Sequence, residues 1–156
     1  MNGLLGALVA LFASTIMGIH SPVPITDPAT LALQNFLAEK SSPMPAEVLI
    51  EYPNWEMIVA LSAAESGYGK HLGGTYNAWG IKDYQSGSKK YGGTRDFASW
   101  EESIKYTSEL LFKYDSKDGK PDPKAMVATW KYVKPYGHWV NNVAYSLYDI
   151  NQHMTV

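Results

Sequence analysis

Residues 60–82 read ALSAAESGYGKHLGGTYNAWGIK, and within them the chain changes from one kind of structure to another. The first part closes a run in which Met57, Ile58, Leu61 and Ala64 recur at spacings of three and four, the period of one helical face, from a start near Pro53-Asn54. From Gly67 the period collapses. Residues 67–95 are rich in glycine, serine and aromatics, with short alternating pieces compatible with a small antiparallel hairpin. A helix that runs straight into such an insertion is a common way to build one wall of a cleft.

Outward from that point the chain is helical. On the C-terminal side, Ser99-Trp100-Glu101-Glu102 is a capping box, and Ile104, Leu110, Leu111 and Tyr114 supply the buried side of the helix it opens. Asp122-Pro123 starts a short helix with Met126, Val127 and Trp130, which Pro135 stops. A last helix carries Trp139, Val140, Val143, Leu147 and Ile150. On the N-terminal side, Asp27-Pro28 places an N-cap and a first-turn proline before Leu31, Leu33, Phe36 and Leu37, and a Pro-rich turn at residues 41–45 ends that helix. The expected class is mainly α (α+β), a helical lobe with a small β-hairpin lobe beside a cleft. No internal repeat is present.

The chain has 156 residues, 46% hydrophobic and 13% aromatic, enough for one domain with a real core. Without cysteine there is no disulfide frame and no thiol chemistry. Lys and Arg number 13 against 15 Asp and Glu, so the basic excess of a nucleic-acid binder is missing. Every Lys and Arg lies at Lys40 or beyond, and before Glu39 the only charged side chain is Asp27; from Lys40 onward the count is 13 basic and 13 acidic.

Residues 3–19, GLLGALVALFASTIMGI, are uncharged and mostly apolar. As a helix they would reach roughly 25 Å, a little short of a hydrocarbon core of about 30 Å. Residues 1–20 are therefore read as an export signal or membrane anchor, 21–28 as a Pro-rich linker and 29–156 as the folded domain. No Lys or Arg precedes the run and no clean small-x-small cleavage site follows it, which leaves open a boundary within a longer product or a buried helix.

Glu65 falls four residues after Leu61, on the apolar face of its helix. Lost hydration and the carbonyls of a helix C-terminus both disfavour an anion there, so the expected pKa is raised and the group is suited to general acid work. The competing readings are a frayed helix end with Glu65 in water, or an ion pair with Arg95 or a lysine.

Glu65-Ser66-Gly67-Tyr68-Gly69-Lys70, followed by Asn77, Trp79, Gly80, Ile81 and Lys82, resembles the signature of the glucosaminidase-type peptidoglycan hydrolases, the endo-β-N-acetylglucosaminidases of the lysozyme-like superfamily. Arg95-Asp96-Phe97-Ala98-Ser99-Trp100-Glu101-Glu102-Ser103-Ile104 is similar to a second block of that family, and the resemblance extends loosely over residues 27–152. It implies a lysozyme-like fold, peptidoglycan glycan strands as the partner, an exported protein of the cell envelope, and cleavage of the β-1,4 bond after N-acetylglucosamine with Glu65 as general acid. It places an auxiliary acid in the β-lobe, where the acidic residues are Asp83 and Asp96; Asp96 is favoured because Asp83 suits a turn. Assistance by the substrate's 2-acetamido group is the other route.

Sugar rings present apolar C–H faces, so aromatic platforms beside amides suit a glycan groove. Tyr68, Tyr76, Asn77, Trp79, Tyr91 and Trp100 offer that chemistry, with core packing as the competing reading of Trp79 and Trp100. Tyr136 joins them as the candidate from the family's C-terminal Tyr segment, from whose commoner wording this chain departs. The histidines, at positions 20, 71, 138 and 153, show no metal-ligand spacing, so neither metal nor cofactor is expected, and the domain is expected to be a monomer. A lytic transglycosylase or a muramidase on the same broad fold remains as alternative chemistry, and a non-catalytic wall-binding or phage structural domain as an alternative class.

Overall fold

The computed structural model describes residues 27–114, 116–131 and 134–155, so the apolar segment 1–20 and the linker up to Thr26 lie outside the described residues. Six helices occur among them: α1 (Pro28–Glu39), α2 (Ala46–Leu49), α3 (Trp55–Ser66), α4 (Trp100–Leu111), α5 (Pro123–Trp130) and α6 (Gly137–Met154). The starts of α1, α4 and α5 follow local chemistry. Asp27 Oδ1 accepts from the amides of Ala29 and Thr30, each at 3.0 Å. Ser99 Oγ accepts from Glu102 N at 3.2 Å, and Asp122 Oδ1 from Lys124 N at 2.9 Å. The four-residue α2 escapes the sequence reading because one turn is too short to show a period.

α3 is the hub. Met57, Ile58, Val59, Ala60, Leu61 and Ser62 are all buried, so it is enclosed on every side rather than amphipathic. Its largest packing surface is α6, with α4 also against it, while α1 closes on α6 and α2. Ile58 and Leu61 are fully buried, each contributing roughly 1.5–3 kcal/mol of transfer free energy. Asn54, at the N-cap position, does not cap with its side chain. Its Nδ2 donates to the carbonyls of Ser108 at 3.1 Å and Gly119 at 3.2 Å, and its Oδ1 accepts from Ser108 Oγ at 2.8 Å, tying the start of α3 to α4 and to the approach to α5.

The segment between α3 and α4 carries less regular pairing than its alternating pattern predicts. Among the described residues it contains two isolated antiparallel bridges, Gly74 with Asn77 and Lys82 with Thr94. Arg95 N donates to Ile81 O at 2.8 Å, Asp83 N to Gly93 O at 2.8 Å and Gly92 N back to Asp83 O at 2.6 Å, and beyond that pair the bonds are local turns. Gly87 and Gly92 have φ of +79° and +77°, so the chain leaves extended geometry where a hairpin would need more strand. The class is therefore mainly α. Among the described residues, no helix is long and apolar enough to cross a membrane.

At the far end of α6, His153 Nδ1 lies 2.8 Å from the Asp149 carbonyl, and Nε2 lies 3.2 Å from Glu39 Oε2 on α1. Lys40 pairs with Asp149 Oδ2 at 2.6 Å, completing the charged set around the ring. The carbonyl contact is the largest cause raising the imidazole pKa; desolvation, next in size, opposes it, and the charges of Glu39 and Asp149 add smaller upward contributions. A raised folded-state value stabilises the fold fully below the ordinary value near 6.5, and that stabilisation is lost as pH climbs through the folded value. Thermal unfolding of wild type against His153→Gln should show an advantage for wild type that is larger at pH 6 than at high pH, the pH-dependent part being at most about 1 kcal/mol because the ring is partly exposed and salt screens the pairs, while the edge contact of the ring with Phe36 is independent of pH.

Candidate active site

α3 ends one residue after Glu65, and the chain turns there through Gly67 (φ +60°), Tyr68 (φ +64°) and Gly69 (φ +83°). Tyr68 and Tyr76 are two of three non-glycine residues with positive φ among those described, a concentration of backbone strain of the kind found beside functional sites. Ser66 holds the turn. Its Oγ accepts from Gly69 N at 2.9 Å and donates to Ala78 O at 2.7 Å, drawing the insertion back onto the helix end.

Glu65 is half-buried. Its Oε1 accepts two indole N–H groups, from Trp130 of α5 at 3.1 Å and from Trp139 of α6 at 2.5 Å. Its Oε2 faces Gly80, where an added Cβ would stand 3.7 Å away. Among the described residues, no lysine or arginine pairs with it; Arg95 instead reaches Glu102 at 3.5 Å and lies over the rings of Phe97 and Tyr106. Gly80 and Trp130, which flank the carboxyl, also line a pocket of about 180 Å³ together with Lys82, Tyr84, Tyr106 and Tyr114. That volume is below the roughly 300–1,000 Å³ of enclosed small-molecule sites and suits one ring of a longer ligand.

The other sequence-selected residues divide into wall and scaffold. Trp79 lines the pocket but is 1% exposed, and its Nε1 donates to Ile58 O at 2.8 Å, so it chiefly anchors the insertion to α3. Asn77 is fully buried: Nδ2 donates to the carbonyls of Ile81 (2.9 Å) and Arg95 (2.8 Å), while Oδ1 accepts from the amides of Trp79 (3.3 Å) and Ile81 (3.1 Å). These four bonds use its whole capacity, leaving none for a ligand. Trp100 stands edge-on to Tyr76 at 5.5 Å and to Trp79 at 6.4 Å, an aromatic strut behind the pocket. Tyr68 turns toward the α1 and α6 side, its ring against Phe36 at 5.9 Å and its hydroxyl 3.1 Å from Ser146 Oγ. Tyr136 is half-buried at the N-terminus of α6, three residues before Trp139. Tyr91 is 66% exposed and forms an edge-on pair with Tyr84, itself 60% exposed, at 5.7 Å.

Neither aspartate touches Glu65. Asp96 accepts from Thr75 N at 2.8 Å and pairs with Lys90, and the lysine first, then that amide, hold its carboxyl below the usual carboxylate range. Asp83 accepts from Ser88 Oγ and from Gln85 N, which lower its pKa in that order. Asp83 stands between two pocket-lining residues, Lys82 and Tyr84, whereas Asp96 is bound back into the insertion. Among the described residues, no cluster of three acidic or histidine side chains is placed to hold a metal.

Trp130, Trp139 and Tyr84 were not selected from sequence as site residues. A signal existed for the first two, because a tryptophan in an apolar helix face still carries an N–H that needs an acceptor when buried. Compared with known families, curated proteins and solved structures, the chain finds no significant match.

Proposed function

We propose that this chain hydrolyses β-1,4 glycosidic bonds of peptidoglycan, on the glycan side that follows N-acetylglucosamine, with Glu65 as general acid. The carrying observation is the carboxyl itself: half-buried, without a cationic partner among the described residues, one oxygen held by two indoles and the other directed at Gly80, a residue that with Trp130 lines the neighbouring aromatic pocket, whose wall does not include Glu65. A protonated carboxyl so placed can deliver its proton to a leaving glycosidic oxygen as the sugar gains oxocarbenium character. The Glu-Ser-Gly-Tyr-Gly-Lys and Asn-x-Trp-Gly-Ile-Lys blocks support the same reading, together with a lysozyme-like assignment of the helices and an exported, envelope-facing location.

Aromatic rings of Tyr84, Tyr106 and Trp130 suit the apolar faces of a pyranose, and the Tyr84–Tyr91 pair extends that surface outward from the pocket. Asp83 and Asp96, kept ionised by their donors, are weak bases but persistent anions, suited to stabilising positive charge on the sugar. The substrate's 2-acetamido oxygen is the alternative nucleophile. Digestion of purified peptidoglycan, borohydride reduction and mass spectrometry of the fragments test the reading. New reduced N-acetylglucosamine ends support it; reduced muramic ends mean a muramidase, anhydro-muramic ends a transglycosylase, and binding to walls with no new ends a non-catalytic domain.

A further inference from the structure

We propose that Trp130 and Trp139 are positioning residues that make Oε2 the sole proton-carrying oxygen of Glu65; this rests on the reading of Glu65 as the general acid. An indole N–H donates and cannot accept. With the indoles at 3.1 and 2.5 Å, both acceptor directions of Oε1 are occupied, so a proton on that oxygen would face two N–H groups. The constraint therefore holds in the protonated and the ionised state alike. The proton is confined to Oε2, on the side where Gly80 has no side chain to obstruct it.

The clamp also fixes the carboxyl in space. Glu65 comes from α3, Trp130 from α5 and Trp139 from α6, so three helices must agree on the position of one oxygen. An unrestrained glutamate at a helix end can rotate about three bonds, and a general acid displaced by about 1 Å can lose on the order of a hundredfold in rate. A carboxylate held instead by lysine or arginine would be fixed by a full charge; the neutral indoles restrain it without one. Trp139 separates positioning from substrate contact most cleanly, because it is 3% exposed and absent from the pocket wall, whereas Trp130 lines it.

The test replaces Trp139 alone, in the full chain, with the benzothiophene analogue of tryptophan, which keeps the ring shape and lacks the N–H, and in parallel with a fluorotryptophan that keeps it. On reduced-end release from peptidoglycan, the benzothiophene protein should lose about a hundredfold in kcat with KM within about twofold, and the fluorotryptophan protein should match wild type. A benzothiophene protein with native kcat overturns the proposal, as does equal loss in both variants, which would mark Trp139 as packing only. A wild type that releases no new ends overturns the reading of Glu65 and the proposal with it, an outcome distinct from an active wild type whose benzothiophene variant is equally active. Independently of activity, the Trp139 indole N–H proton resonance should move further from its wild-type position in Glu65→Ala, where the acceptor is gone, than in Glu65→Gln, where an amide oxygen replaces it; equal positions in wild type and Glu65→Ala would show that no such bond exists.

Discussion

Glu65→Gln should leave a folded protein whose release of reducing ends from peptidoglycan is lower by about 10³-fold, within the range that a positioned general acid contributes. The substitution is informative because the amide reproduces one half of the carboxyl. Its oxygen can take the Oε1 position and accept from Trp130 and Trp139, and its NH₂ then stands where Oε2 faced Gly80. Nothing remains there that can give up a proton. Glu65→Ala should be equally inactive but also less stable, by about 1–3 kcal/mol, since the buried Trp139 N–H loses its acceptor. Urea unfolding of the two variants beside the turnover assay separates these effects. A Gln variant that clears walls at the native rate would remove Glu65 from the chemistry, and an Ala variant as stable as Gln would mean the indoles find water instead.

What could be read from the chain before folding was whatever a few neighbouring residues decide among themselves. The Asp27-Pro28 start, the Ser99 and Glu102 pairing and the Asp122-Pro123 start depend on side chains within three residues of the amides they satisfy, so the helices they open were legible. Glu102 still departs in detail, its carboxylate accepting from Ala98 N at 2.7 Å. Glu65 is legible as an exception to its surroundings, but α3 is buried on all sides, so a shared face with Leu61 does not distinguish it. Its partners lie 65 and 74 residues away on other helices, and no local pattern encodes such a meeting. The same distance hid the role of Asn54, a plausible N-cap whose side chain is used 54 and 65 residues downstream. In the insertion, alternation suggested strands, while the left-handed glycines that end the pairing were visible only as composition.

Asn77→Ala should abolish most activity without removing any group that touches substrate. The side chain is a hub with four bonds, two donated to carbonyls and two accepted from amides, and three of its four backbone partners belong to Trp79 and Ile81, the residues on either side of Gly80. Gly80 is the position that Oε2 of Glu65 faces. Alanine leaves the amides of Trp79 and Ile81 and the carbonyls of Ile81 and Arg95 without this partner at a site from which solvent is excluded, at a cost of about 1–3 kcal/mol for each group that finds no substitute. The loop then shifts to reach water, and a shift of about 1 Å at Gly80 is enough to cost on the order of a hundredfold in rate. Asn77→Asp sharpens the test. It keeps the shape and the acceptor for Trp79 N and Ile81 N but turns the second oxygen toward the carbonyls of Ile81 and Arg95, where two donated bonds become two repulsive contacts. Aspartate should therefore be at least as damaging as alanine in kcat/KM and in protease resistance of the insertion. An Asp variant close to wild type in both would show that Asn77 serves the site through its carbonyl oxygen alone, and an Ala variant with native protease resistance but lost activity would return Asn77 to direct contact with the glycan.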